Sequence, residues 1–310
     1  MNIVQGETIF TEKFRPKTLN DIILPEKMKS KIQTWITNED IPNMLLVSKQ
    51  PGVGKTTLAH VLINETQADA LFINISLDGN IDTLRTKIQG FVTTSGFSDI
   101  PKIVVLDEFD GASQLLQKAL RGFTEEFSKS ARFILTANYK EKIIEPLCNR
   151  LQIIDFDVMF KENKPELIRS TAKRIIQVLK YENISFAKDD LLLLVKSYYP
   201  STRSMLITIQ EHIENSTLVL SEGDIDKSKD TSKIIAYIKS KDFEKFRKAV
   251  QELSTPDILF YELYNSIEDF DITKRPQITI LIARYSYQNA FARDAIVNII
   301  ALGAEIMQIL

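Results

Sequence analysis

Leu45-Leu46-Val47-Ser48-Lys49-Gln50-Pro51-Gly52-Val53-Gly54-Lys55-Thr56-Thr57 runs from an apolar strand pattern, through a Pro/Gly turn, into a helix that opens on Lys-Thr. That order of residues builds a phosphate-binding loop. Gly52 and Gly54 let backbone N–H groups converge on phosphate oxygens. Lys55 reaches the outer phosphates, and Thr56 offers a hydroxyl to Mg²⁺. The strict pattern has glycine where this chain has Lys49. A Gly-x-Gly-Lys-Thr fragment also recurs by chance, so the rest of the chain carries the decision.

Composition bounds the answer. At 310 residues the chain exceeds one typical domain, which sets an expectation of two or three. A hydrophobic share of 44% and a charged share of 26% suit a globular protein with a sizeable core. The formal net charge of −2 excludes a globally basic nucleic-acid binder. DNA contacts must then come from a local patch or from several subunits together. The single cysteine, Cys148, cannot form an internal disulfide and fits a reducing compartment. Met1–Glu7 lacks a basic segment followed by an apolar one, so no signal peptide is expected. Ala295–Leu310 is apolar but interrupted by Asn298, Glu305 and Gln308, which reads as a buried helix and not a membrane span. The expectation is a cytoplasmic protein with no membrane association.

Between Met44 and Asp155 short apolar runs alternate with helical patterns, as in a parallel sheet covered by helices. The strands are predicted at Met44–Val47, Leu71–Ile75, Ile103–Leu106, Arg132–Thr136 and Gln152–Asp155. Runs so continuously apolar are buried on both faces. Helices are predicted between them at Lys55–Glu65, Ile81–Thr94, Ala112–Glu126 and Glu141–Asn149. After Asp155 the strand signal stops. Helices are predicted at Lys164–Asn183, Asp189–Val195 and Ser201–Asn215, followed by a polar linker over Ser221–Asp230. Further helices are predicted at Thr231–Lys239, Phe243–Leu253, Pro256–Asp269, Gln277–Ala290 and Asp294–Leu310.

A phosphate loop needs a metal site, and Ile103-Val104-Val105-Leu106-Asp107-Glu108 supplies one: an apolar strand ending in two carboxylates. Ligands collect at the C-terminal ends of parallel strands, so Asp107 falls beside the loop, where it would hold Mg²⁺. Glu108 would polarise the water that attacks the γ-phosphate. A buried strand running into an acidic helix start is the structural alternative. Ile134-Leu135-Thr136-Ala137-Asn138 is a second apolar strand ending in a polar group, and Asn138 could orient that water or bond the γ-phosphate. Arg150 precedes the last strand and Arg203 opens a helix beyond it. Arginines acting on developing phosphoryl charge are the recurrent last component of such sites.

Taken in order, these motifs resemble an AAA+ ATPase: phosphate loop, strand ending Asp-Glu, strand ending Thr-Ala-Asn, Arg before the last strand, Arg in a helical lid. The opening Glu12-Lys13-Phe14-Arg15-Pro16 is similar to the Lys-Tyr-Arg-Pro start of clamp-loader ATPases. Asp107-Glu108-Phe109-Asp110, the helix Gln117–Phe123 and Pro200-Ser201-Thr202-Arg203 sharpen the match. Together they resemble the large ATPase subunits of T-even phage sliding-clamp loaders and, more distantly, replication factor C small subunits. The resemblance implies an α/β nucleotide-binding domain over residues 1–157, a small helical lid over 158–228 and an all-α C-terminal collar over 229–310. It implies ATP and Mg²⁺ as cofactors, bound by Pro51, Gly52, Val53, Gly54, Lys55, Thr56, Thr57 and Arg203, with Thr56 and Asp107 on the metal. Phe14, Arg15, Ile22 and Ile23 would line the adenine pocket. Glu108, Asn138 and Arg150 would be catalytic, Arg150 reaching the ATP of an adjacent subunit. Asn74 and Gln117 would regulate, Asn74 by holding the catalytic Glu inactive and Gln117 by coupling DNA to the catalytic centre. Arg85 and Lys87 would track DNA phosphates, although a solvated helix face explains them equally well.

Two departures stand out: Lys49 in the loop, and Asn149-Arg150-Leu151 where the family has Ser-Arg-Cys. The implied partners are further loader subunits (several copies of this chain plus a distinct subunit), the sliding clamp and primer–template DNA. If the chain is phage-encoded, the compartment is the host cytoplasm. Two alternatives remain open: another DNA-associated AAA+ machine, such as a branch-migration motor or helicase loader, and an ATP-binding structural subunit without turnover.

Overall fold

Five strands, β1 (Met44–Val47), β2 (Ala70–Asn74), β3 (Lys102–Asp107), β4 (Ala131–Ala137) and β5 (Gln152–Asp155), make one sheet in the order β2-β3-β4-β1-β5. Every pairing in it is parallel. The structure, a computed structural model, describes residues 6–78, 81–94, 102–220, 227–253, 256–289 and 291–310. The strands lie within a residue or two of their predicted positions, because a sheet buried on both faces leaves an uninterrupted apolar run in the sequence.

Alternate residues along each strand enter opposite layers. Met44, Leu46, Ile103, Val105, Ile134 and Ile154 share one core with Ile32, Leu58 and Leu62. Leu45, Val47, Val104, Leu106, Phe133 and Leu135 share the other with Leu84, Ile88, Leu116 and Leu120. The helices up to β5 are α1 (Phe10–Lys13), α2 (Glu26–Thr37), α3 (Lys55–Thr66), α4 (Ile75–Asp78), α5 (Ile81–Thr93), α6 (Gln114–Glu126) and α7 (Glu145–Cys148), and α2, α3, α5 and α6 supply the helical residues just named. Helix α6 begins two residues after its predicted start because Ser113, with extended backbone, is its N-cap and accepts from the Leu116 N–H. The helix predicted over Glu141–Asn149 divides into a 3₁₀ turn at Lys140–Lys142 and α7. Pro146 lies in the first turn of α7, where its missing N–H is not needed and where it favours a new helix start.

Beyond the sheet come α8 (Phe156–Glu162), α9 (Lys164–Tyr181), α10 (Lys188–Tyr198) and α11 (Thr202–Glu211). Here one expectation is corrected: strand pairing does not end at Asp155. β6 (Ser185–Phe186), β7 (Ile213–Glu214) and β8 (Thr217–Leu218) form a three-stranded sheet in the order β6-β8-β7. Two-residue strands are too short to show a period of two. Their hairpin turns on Asn215 and Ser216, both with positive φ, in place of the Asn-Gly that would advertise such a turn. The helix predicted over Ser201–Asn215 therefore stops at Glu211.

The chain divides into two units, Met1–Val219 and Leu220–Leu310. In the second, the helices Lys227–Lys239, Phe243–Gln251, Ile258–Asn265, Arg275–Asn289 and Ala295–Ile309 surround a core that includes Ile234, Phe246, Leu259, Ile278, Leu302 and Ile306. The predicted linker over Ser221–Asp230 is cut short, since Lys227 is already helical; residues 221–226 lie outside the described residues. Residues 1–5 of the N-terminal reading lie outside them as well. Among the described residues no helix is long and apolar enough to cross a membrane.

Candidate functional site

Strand β1 delivers the chain into the loop 48–54, and α3 begins immediately after it. Gly54, at φ 107°, is the N-cap of α3, and Gly52 has φ 74°. Both conformations are left-handed and strained for any residue with a Cβ. Lys49 is not among the positive-φ residues, so the loop's first position does not require glycine here. Its N–H donates to Asp157 Oδ2 at 2.8 Å, and Ser48 Oγ donates to Asp157 Oδ1 at 2.6 Å. The Lys55 ammonium lies over the loop, donating to Ser48 O (2.9 Å), Gln50 O (3.3 Å) and Asn138 Oδ1 (2.8 Å). Burial lowers the Lys55 pKa; Asp157, Asp110 and Asp107 act against that shift, and Arg203 adds to it.

Across β4 from the loop, β3 ends in the acidic pair. Asp107 Oδ1 accepts from Thr56 Oγ1 at 3.0 Å and from Thr136 Oγ1 at 2.5 Å. Thr136 Oγ1 in turn accepts the Glu108 N–H at 3.1 Å. Glu108 is exposed and has φ 56°, a strained position held by that bond. The Asn138 N–H donates to Asp110 Oδ1 at 3.1 Å. Among the described residues no cluster of three His, Cys, Asp or Glu side chains forms a dedicated metal cage. What the site offers is a hydroxyl and a carboxylate in contact beside a phosphate loop. That hard-oxygen set fits Mg²⁺ completed by phosphate oxygens and water.

These residues open on a cleft of about 280 Å³. All of Pro51, Gly52, Val53, Gly54, Lys55, Thr56 and Thr57 line it, with Asp107, Glu108 and Asn138. Phe14, Arg15, Ile22, Ile23 and Arg203 also line it. Phe14 is almost wholly buried, packed edge-on against Phe10 and Tyr181. Arg15 pairs with Glu12 at 2.6 Å. Helix α11 approaches the loop at its start: the Arg203 N–H meets Gly52 O at 3.4 Å, and Ser201 Oγ accepts from the Ser204 N–H to cap that helix.

Five predicted positions lie elsewhere. Arg150 is held by Glu125 (Nε 2.7 Å, Nη2 2.5 Å) and donates to Pro146 O at 2.7 Å. Asn74 pairs in register with Asp107 across β2 and β3, and its Oδ1 accepts the Ser76 N–H at 2.9 Å. Gln117 is buried; it donates to Ala112 O (3.1 Å) and Lys142 O (3.0 Å) and accepts the Ile144 N–H (2.8 Å). Arg85 and Lys87 are exposed on α5. Sequence reasoning misses Thr136, Asp157 and Arg174. Thr136 stands inside a motif read for its asparagine. Asp157 lies 109 residues from Ser48 with no local signature. Arg174, from α9, donates to Asp21 Oδ1 (3.2 Å) and Phe14 O (3.1 Å), tying the N-terminal segment to that helix. Burial lowers its pKa against the pull of Asp21.

The parallel sheet, left-handed loop glycines, acidic strand end and polar neighbour define an ATPase of the AAA class. The profile of the ATPase family associated with various cellular activities (AAA) matches residues 45–158. The sliding-clamp-loader large subunit of Escherichia phage RB69 is 32% identical over 252 residues, covering 80% of this chain and 78% of the relative. That of Enterobacteria phage T4 is 32% identical over 220 residues, covering 70% and 69%. The replication factor C small subunit of Thermofilum pendens is 36% identical over 175 residues, covering 54% of each chain. The chain belongs to the family of the phage sliding-clamp-loader large subunits. Among solved structures, the RuvB Holliday junction branch migration motor of Thermotoga maritima shares the fold, with TM-score 0.52 at 15% identity over 77% of this chain and 85% of that one.

Proposed function

We propose that this chain is an ATPase subunit of a sliding-clamp loader, in which ATP binding opens a ring-shaped clamp and primer–template DNA triggers hydrolysis and release. One observation carries the reading: Lys55 with Asn138, and Thr56 with Asp107 and Thr136, converge on a single cleft in a chain whose relatives are named as clamp-loader subunits.

The loop N–H groups at 52–57 and Lys55 bind the phosphates, and the nucleoside end rests against Ile22, Ile23 and the Phe14–Arg15 segment. Thr56 Oγ1 and Asp107 would hold Mg²⁺, whose charge would neutralise phosphate oxygens. Water attacks the γ-phosphorus in line; the new P–O bond forms as the bond to the β-phosphate oxygen breaks. Glu108 takes the proton, and ADP leaves with the electron pair. Asn138 orients the γ-phosphate, and Arg203 supplies positive charge from the lid. Arg150 completes the site of a neighbouring subunit; an exposed pair such as Arg150–Glu125 is worth no more than about 1 kcal/mol, so Glu125 gives the arginine up readily. Asn74 and Gln117 are proposed as regulatory positions and Arg85 and Lys87 as DNA contacts. The proposed domains are a nucleotide-binding domain at 1–157, a lid at 158–228 and an assembly collar at 229–310, working in the host cytoplasm beside a distinct partner subunit. A branch-migration motor would favour strands in a winged C-terminal domain, and the described residues beyond Leu220 include helices and no strand. The test is ATP turnover by the chain assembled with its partner subunit, with and without clamp and primed DNA. Strong stimulation is expected; turnover indifferent to both would end the clamp-loader reading.

A further inference from the structure

Lys49 occupies the loop's first position without left-handed backbone, so something other than glycine must fix the loop start. Asp157, in the first turn of α8, spends both carboxylate oxygens on it: Oδ1 accepts from Ser48 Oγ at 2.6 Å and Oδ2 from the Lys49 N–H at 2.8 Å. Ser48 is buried, and with its proton on Asp157 its oxygen accepts the Gln50 N–H at 3.1 Å. The chain of bonds thus runs from Asp157 through Ser48 to Gln50. Ser48 and Gln50 carry the two loop carbonyls on which the Lys55 ammonium rests. The sheet brings the partners together: β5 pairs with β1 so that Val47 stands opposite Asp155, which puts α8 beside the loop start.

We propose that Asp157 is a positioning residue of the phosphate loop, holding its first turn through Ser48 and the Lys49 N–H and thereby setting where Lys55 sits. The assignment rests on the reading that this loop binds the phosphates of ATP. A carboxylate accepting two hydrogen bonds at these lengths forms the strong, charge-assisted kind. Without it, the loop start must be ordered by the nucleotide, and part of the binding energy goes into that ordering.

The test is equilibrium binding of fluorescent ATP and ADP analogues to the full chain and its Asp157→Ala, Asp157→Asn and Ser48→Ala variants, each with a thermal melt. Asp157→Ala should weaken both nucleotides by about tenfold or more, with a smaller loss for Asp157→Asn, which keeps one acceptor. The double variant Ser48→Ala/Asp157→Ala should bind about as well as Asp157→Ala alone, because one chain of bonds is being cut twice. In the assembled loader the loss should show in KM more than in kcat at saturating ATP. Unaltered affinities beside a lowered melting temperature would reduce Asp157 to a packing residue and overturn the assignment, as would additive Ser48 and Asp157 losses. Should Asp157→Ala not fold, the near-isosteric Asp157→Asn carries the same comparison. A wild-type chain that binds neither nucleotide counts against the ATP reading itself.

Discussion

Thr136 has no charge and takes no part in bond making, yet its hydroxyl bonds both acidic residues at the end of β3. It donates to Asp107 and accepts from the backbone of Glu108, and it is buried. Thr136→Val keeps the shape and removes both bonds, leaving the part-buried Glu108 N–H without its acceptor. Turnover by the assembled loader should fall about tenfold, while Thr136→Ser, which restores the hydroxyl, should recover most of it. Glu108→Gln tests the chemistry directly, since the amide fills the same space and cannot take a proton. Steady-state hydrolysis should drop at least about 10²-fold with ATP still bound, as measured by phosphate release beside a binding titration. Unchanged hydrolysis would remove Glu108 from the mechanism. At this scale the sequence reveals residues that stand inside a motif. Asp107, Glu108 and Asn138 are visible because each ends an apolar run. Asp157 and Arg174 act across folded distances, so no neighbour in the chain announces them.

Elements place these residues, and the loop between β1 and α3 depends on what packs against it. Gly52 illustrates this: its φ of 74° already disfavours a Cβ, and one built there would lie 2.7 Å from both Arg203 Cβ and Ser201 Oγ. The loop and the start of α11 are therefore fitted to each other at a glycine. Gly52→Ala should cost about 1–2 kcal/mol in backbone strain alone. It should also push α11 off the loop, and ATP affinity should fall by more than about tenfold in the same titration. Affinity equal to wild type would show that the contact with α11 is not needed for binding. Sheet elements are legible because a buried parallel strand must be apolar throughout; β1 and β5 fall on their predicted residues for that reason. The small sheet β6-β8-β7 is not legible, because its strands are two residues long and its turn uses Asn-Ser.

On the scale of the whole molecule, the two units have separate cores, so damage to one should leave the other's ligand site working. Gly303 gives a sharp way to ask. It sits on the helix Ala295–Ile309 against the ring of Phe246, and a Cβ at that position would lie 2.1 Å from Cζ and 2.4 Å from Cε1. Phe246 is 1% exposed and belongs to the core of that unit. Overpacking of a filled core ordinarily costs about 1–3 kcal/mol, and an overlap this deep belongs at the upper end or above it. Gly303→Ala should therefore lower the melting temperature of the Leu220–Leu310 unit. The ATP cleft is lined entirely from Met1–Val219, so the affinity of the purified variant for a fluorescent ATP analogue should stay at the wild-type value. If the C-terminal helices are the collar, native mass with the partner subunit should fall towards the single chain, and turnover in the mixture should fall with it, since Arg150 would lose the neighbour it serves. Binding lost together with assembly would mean that the nucleotide site depends on the C-terminal unit. Assembly retained by a variant whose C-terminal unit has demonstrably loosened would move the assembly surface to Met1–Val219.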